Sequence, residues 1–155
     1  VKSVIISPFS RALPSGRINP KNYPHWEELI SILKSVGVRT IQVGEKGERL
    51  IGADEVKHNL SLAELKEVVL GADTWASVDN FFHHFCALHK KAGVVVFGKS
   101  DPNIFGHPIN INLLKDRSCL RKYQYDIWDA ETFDPQVFVD PKTVFSAILT
   151  ILLRK

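Results

Sequence analysis

Thr74-Trp75-Ala76-Ser77-Val78 runs directly into Asp79-Asn80-Phe81-Phe82-His83-His84-Phe85-Cys86-Ala87, and Gly93-Val94-Val95-Val96-Phe97 follows before Gly98. The first and last of these runs are short, apolar and bounded by turn formers, as strands buried on both faces are. Between them Asp79 or Asn80 can cap a helix running to about Lys91. Strand, helix and strand in that order are the unit of a parallel sheet.

The same alternation extends in both directions. Upstream, Ser3-Val4-Ile5-Ile6-Ser7 is another buried strand, ended by Pro8. Residues 8–23 form a long basic loop with three prolines, Gly16, Arg11, Arg17 and Lys21. Pro24 fits the first turn of a helix. Trp26, Leu29, Ile30, Leu33 and Val36 follow at helical spacing, and Gly37 can close that helix. Arg39 to Val43 reads as a strand broken by Gly44 and Gly47. Ser61 and Glu64 have capping-box spacing. Leu62, Leu65, Val68 and Val69 supply the apolar face behind them, with Gly71 at the end. Downstream, Gly98 opens a loop, 109–114 is a short strand, and Asp140-Pro141 starts a last helix over Val144, Phe145, Ile148, Leu149 and Leu152. Residues 115–139 show no period. The expectation is an α/β, Rossmann-like fold, with a parallel sheet of at least five strands flanked by helices on both faces.

The chain has 155 residues, 45% hydrophobic and 24% charged, which excludes general disorder and suits one domain over 1–155. Its formal charge of +3 permits anionic partners without implying nucleic acid. Two cysteines, Cys86 and Cys119, make no disulfide framework, and with Cys86 placed in a buried helix a reduced, cytoplasmic setting is expected. No membrane span and no signal peptide are visible. The chain holds no Met and opens on a strand. It is therefore expected to be a piece of a longer protein, with a processed full-length chain as the alternative.

Parallel sheets bind ligands at the carboxyl ends of their strands. Four loops there carry suggestive residues: Pro8 to Lys21, including Ser10; Gly44-Glu45-Lys46-Gly47-Glu48; Asp79 to His84; and Gly98-Lys99-Ser100-Asp101-Pro102. Cations and a helix N-terminus suit phosphates. A carboxylate suits ribose hydroxyls, whose hydrogen bonds it accepts. Each feature has a plainer reading beside this one. The cations can be solvated, Glu45 and Glu48 can be surface residues, and Asp79 can simply cap its helix. His83 and His84 are adjacent, about 100° apart on a helix, and neither has a metal ligand four residues on, so no metal is expected. No G-x-G-x-x-G, Walker or G-x-S-x-G motif is present.

Ser77 to Ala87 resembles the Asp-Ser/Thr-Gly-x-x-His-x-x-Ala signature of the heptosyltransferases, glycosyltransferase family 9, which have the two-domain GT-B architecture. Lys21-Asn22-Tyr23-Pro24 resembles the family's Lys-x-Trp-Pro, Gly44 to Glu48 its Gly-x-x-x-Glu, and Phe97 to Pro102 its Phe-Gly-x-Thr-x-Pro. Leu60 to Leu65 resembles the segment before the signature. The resemblance covers residues 3–114 and the last helix. It implies the C-terminal, donor-binding half of the enzyme, which takes a nucleotide-diphosphate sugar as substrate and needs no metal or other cofactor. By the same resemblance Lys21 contacts phosphate or sugar, Glu48 (or Glu45) holds ribose, and Asp79 to Phe82 cradle the diphosphate. The full set of expected binding residues is Ser10, Arg11, Arg17, Lys21, Gly44, Glu45, Glu48, Asp79, Asn80, Phe81 and His84. The catalytic base is expected in a missing N-terminal Rossmann-like domain, which becomes a partner of this one. The acceptor stays open among saccharide, protein and modified DNA.

The chain departs from the family at Phe9 and Phe81, where glycine is usual. Phenylalanine adds bulk where a backbone approaches phosphate. Either the phosphates sit differently, the rings stack on base or sugar, or the site has decayed. A non-catalytic nucleotide- or protein-binding relative and a nucleotide-sugar epimerase are the alternative functions.

Overall fold

The computed structural model describes residues 1–154. Its strands are β1 (Ser3–Ser7), β2 (Arg39–Gly44), β3 (Glu55–His58), β4 (Thr74–Val78), β5 (Val94–Phe97) and β6 (Ile111–Leu114). They form one sheet in the order β3-β2-β1-β4-β5-β6, with every pairing parallel. Ile5 lies beside Ile41 on one side and Trp75 on the other. The chain leaves β1 toward β2 and later returns to β1's other edge as β4. The loops after β1 and β4 therefore part company there, which opens a crevice at the carboxyl end of the sheet.

Alternate residues of each strand feed two cores, as a side-chain period of two requires. Val4, Ile6, Ala76, Val94 and Val96 pack under α1 (Trp26–Ser35) and the C-terminal helix (Pro141–Leu152). Ile5, Ile41, Trp75, Val95 and Phe97 pack under the helices Leu62–Gly71 (α2) and Phe81–Leu88 (α3). Pro102–Phe105 is a single further turn, α4, which makes the C-terminal helix α5. The α/β class, the helices on both faces and the five expected strands are all present, with one strand more.

The helix signals held where local chemistry sets them. Ser61 and Glu64 form the reciprocal capping box, Asp140 accepts from the Thr143 amide at 2.9 Å, and Asn80 caps α3. Gly37, at φ +77°, closes α1: its N–H reaches Lys34 O while the Val38 N–H reaches Leu33 O. This double bond pattern satisfies two end carbonyls and needs the left-handed residue glycine tolerates.

Several expectations need correction. Pro24 stands in the turn before α1, and the helix begins at Trp26. α3 stops at Leu88, short of Lys91. α2 buries only Val69 fully, and Leu62 is exposed. β3 was invisible because it is a four-residue edge strand, Glu-Val-Lys-His, with charged side chains that pair with one another and with Arg39. Residues 115–139 fold as three 3-10 turns. Arg121 organises them: its guanidinium donates to the carbonyls of Gln124, Asp126 and Ile127 and lies 3.5 Å from the Trp128 ring centre. Such side-chain-to-backbone order leaves no periodicity to read.

Gly93 offers a test of the packing. A Cβ there would lie 2.2 Å from ring atoms of Trp75, which is wholly buried and donates its indole N–H to Lys91 O. Gly93→Ala should destabilise the protein by about 1–3 kcal/mol, as overpacking of a fixed core does. Gly71→Ala, in open space at the end of α2, should be neutral or stabilise by up to about 1 kcal/mol. Urea denaturation of the two variants measures the contrast.

Candidate functional site

A cleft of about 930 Å³ opens where the loops after β1, β2 and β4 converge. The fold brings Ser10, Arg11, Lys21, Gly44, Glu45, Glu48, Asp79, Asn80, Phe81 and His84 to its walls. Arg17 is elsewhere: its guanidinium donates to the carbonyls of Asp129 and Glu131 and fastens the first loop to the 3-10 segment. The Gly98–Pro102 loop also misses the cleft. Lys99 pairs with Glu131 at 3.3 Å and Asp101 with Arg117 at 2.8 Å, so its charges are used to hold residues 115–139.

The first loop is fixed to the end of β4. Ser10 Oγ donates to Asp79 O at 2.7 Å, and Asn80 Nδ2 donates to Ser7 Oγ and Phe9 O. Asn80 Oδ1 accepts from the Phe82 amide, which makes Asn80 the cap of α3. Asp79 is not the cap. Its side chain is buried, with Oδ1 2.9 Å from His83 Nε2 and Oδ2 3.5 Å from Lys21 Nζ. Burial alone would raise its pKa. The hydrogen bond from His83 and the Lys21 charge outweigh that and hold the carboxyl below its ordinary value. Asp79 thereby orients His83, one helical turn further along the chain.

Glu48 sits differently. Its Oε1 accepts the Glu45 amide at 2.7 Å, while Oε2 is buried with no partner. Burial pushes its carboxyl above the usual value, only partly opposed by that amide and by His58. Gly44 makes room for it, since a Cβ at 44 would lie 2.7 Å from Glu48 Oε2. A carboxylate oxygen held in a cleft wall without a donor is an acceptor available to a ligand hydroxyl.

Phe81, at the start of α3, is 60% exposed and turns a ring into the cleft beside Phe85. Neither Phe9 nor Phe81 has positive φ, so the bulk at these positions carries no backbone strain. Sequence reasoning missed Lys57 from β3, Leu60, Leu62 and Leu65 around the start of α2, Phe105 of α4, and Trp128. Leu62 and Leu65 are legible in the sequence as a helix's apolar face; Leu65 packs against the second core as well as lining the cleft, whereas exposed Leu62 serves the cleft alone. Lys57 and Trp128 lie in the two stretches that gave no periodic signal.

His84 is kept below its ordinary pKa by burial and by the neighbouring His83 and His107. Among the described residues, His83, His84 and His107 form a group of three possible metal ligands. Sequence spacing offered no partner for His83 and His84, because His107 arrives from a loop 23 residues beyond His84.

No protein-family model matches the chain. In a 97-residue alignment that covers 56% of this chain, it is 31% identical to lipopolysaccharide heptosyltransferase 1 of Escherichia coli (strain K12), and the alignment covers 30% of that protein. The structure of E. coli heptosyltransferase WaaC with ADP matches 72% of the chain at 25% identity, with a TM-score of 0.57, over 37% of its own length. A glycosyltransferase family 9 structure from Veillonella parvula DSM 2008 matches 99% of the chain with a TM-score of 0.71, over 47% of its length; at 16% identity that likeness is one of fold. These relatives are heptosyltransferases and family 9 glycosyltransferases, and the chain spans less than half the length of each.

The raised Glu48 carboxyl gives a pH signature. A folded-state pKa above the unfolded value means that ionised Glu48 destabilises the fold at neutral pH, and that this penalty fades as pH falls through the ordinary carboxylate range. Glu48→Gln should therefore raise the melting temperature at pH 7 and lose that advantage in acid. Melting curves across pH measure it.

Proposed function

We propose that residues 1–155 are the nucleotide-diphosphate-sugar-binding domain of a glycosyltransferase, the C-terminal half of a longer two-domain protein. The observation that carries this is the unpartnered, buried Glu48 Oε2 in the same cleft as Lys21, Arg11 and the α3 N-terminus. A ribose hydroxyl donates to Glu48. The diphosphate meets the positive end of α3 and the two cations, without a metal bridging it. Phe81, Leu62 and Phe105 supply apolar surface for base or sugar. ADP is the first nucleotide to try, because the WaaC structure holds it.

Transfer needs a base within reach of the acceptor hydroxyl. Asp79 is paired with His83 and Lys21. The catalytic aspartate is proposed for an N-terminal Rossmann-like domain across the cleft, and the acceptor is a saccharide, protein or modified DNA. The free cysteines Cys86 and Cys119 agree with a cytoplasmic setting, and among the described residues no helix is long and apolar enough to cross a membrane. Phe81, where the resembled signature has glycine, favours a second reading: a relative that binds nucleotide or protein without catalysis.

Calorimetry separates these readings. ADP and ADP-sugars should bind, and Lys21→Ala should weaken them by about 1.5–3 kcal/mol, roughly 10- to 150-fold, as loss of a charge-assisted phosphate contact does. Glu48→Gln should weaken ADP but leave a dideoxyribose analogue almost unaffected. Absence of binding at millimolar ligand by the folded protein would remove the nucleotide reading.

The 155-residue chain alone should bind donor yet show no transfer to any acceptor, with slow donor hydrolysis at most. Robust transfer by the chain alone would place the base within it, and His84 or His107 would be mutated first.

A further inference from the structure

Three imidazoles from two separate segments meet at the edge of the cleft. One ring nitrogen from each of His83, His84 and His107 lies within 4.8 Å of the other two. We infer that these histidines form a binding site for a divalent transition-metal cation, with Zn²⁺ the best fit.

His83 supplies the strongest argument. It is wholly buried, and its Nε2 faces the Asp79 carboxylate at 2.9 Å. With its Nε2–H donated to that carboxylate, the metal-binding tautomer of the ring carries its lone pair on Nδ1. That Nδ1 is buried and has no hydrogen-bond partner. A histidine that donates to a carboxylate through one nitrogen and offers the other is the arrangement that orients imidazole for a metal. An unpartnered buried nitrogen is otherwise costly.

The other two ligands are poised but not yet spread. His84 Nδ1 and His107 Nε2 are 2.7 Å apart, a hydrogen-bond distance. Zinc–nitrogen bonds of about 2.1 Å at tetrahedral angles place ligand atoms about 3.4 Å apart, so this pair must open by about 0.7 Å. His84 is exposed and His107 lies in the loop between α4 and β6, where such a shift meets little resistance. The proton shared by the pair moves to the other nitrogen of its own ring, and no net proton release is required. Three nitrogens and no carboxylate select zinc, cobalt or nickel over magnesium and calcium. The bound ion ties the first turn of α3, and with it the cleft residue His84, to the α4–β6 loop.

Tag-free protein stripped with chelator is titrated with Zn²⁺ by calorimetry and with Co²⁺ by visible absorption, and melted with and without Zn²⁺. Wild type should take up one ion per chain, develop a Co²⁺ ligand-field band and melt higher with zinc. His107→Ala, a change in a loop outside both cores, should weaken binding at least about tenfold and abolish the zinc-dependent rise in melting temperature. His89→Ala, outside the cluster, should behave as wild type. Equal binding by wild type and His107→Ala, or no binding by wild type, would overturn the inference and leave His84 and His107 as a simple hydrogen-bonded pair.

Discussion

The buried carboxylate of Asp79 is the constraint on which the ligand-binding end of this molecule depends. It stands at the carboxyl end of the central strand β4, where the sheet reverses its winding direction. An ionised group in that position must be matched by charge and hydrogen bonds or it would not stay ionised. His83 from the next helix turn, Lys21 from the first loop and the Ser100 hydroxyl supply that match. Three segments far apart in sequence are thereby held at one point. The backbone carbonyl of the same residue takes the Ser10 hydroxyl, which adds a second tie between the β1 and β4 loops.

The other side of the cleft is fixed by a different device. Buried Gln42 donates to Arg49 O and accepts from the Ile51 amide, so the chain that leaves β2 is pinned on return. Within that loop Gly44 leaves room for the Glu48 carboxylate, whose Oε1 closes the turn on the Glu45 amide. The remaining oxygen is left unpaired at a cost to stability. Asp79 and Glu48 thus divide two tasks that one carboxylate could not do: the first organises the scaffold and is satisfied within it, and the second keeps acceptor capacity for a ligand.

The histidine group shows how a helix can be both a structural and a chemical element. Adjacent His83 and His84 diverge along a bare helix, yet here their ring centres are 3.9 Å apart and tilted by 37°. His83 is held by Asp79 and His84 by His107, and in these positions the two rings lie against each other. The exposed face of the same helix presents Phe81, so one short helix contributes a capped N-terminus, an aromatic wall and imidazoles to a single region.

The sequence by itself determined the strands β1, β2, β4 and β5, the two-sided burial of the sheet and the caps at Ser61 and Asp140, and it narrowed the cap of α3 to Asp79 or Asn80. Each follows from residues a few positions apart: apolar runs, a capping side chain, a glycine with positive φ at 37. It also located three of the loops that make the cleft, since the ends of parallel strands are where such loops gather. What only the tertiary structure decided is which charges are spent and which are free. Arg11 and Arg17 look alike in the sequence, yet one lines the cleft and the other holds the carbonyls of residues 129 and 131. Asp79 and Glu48 are both loop-end acids, yet one is paired and the other is not. Likewise β3, the 3-10 segment and the meeting of His107 with His84 depend on partners that are distant along the chain. Local pattern records how a residue prefers to bend and bury; a long-range hydrogen bond leaves no period, because its partner's position is set only when the sheet has closed around both.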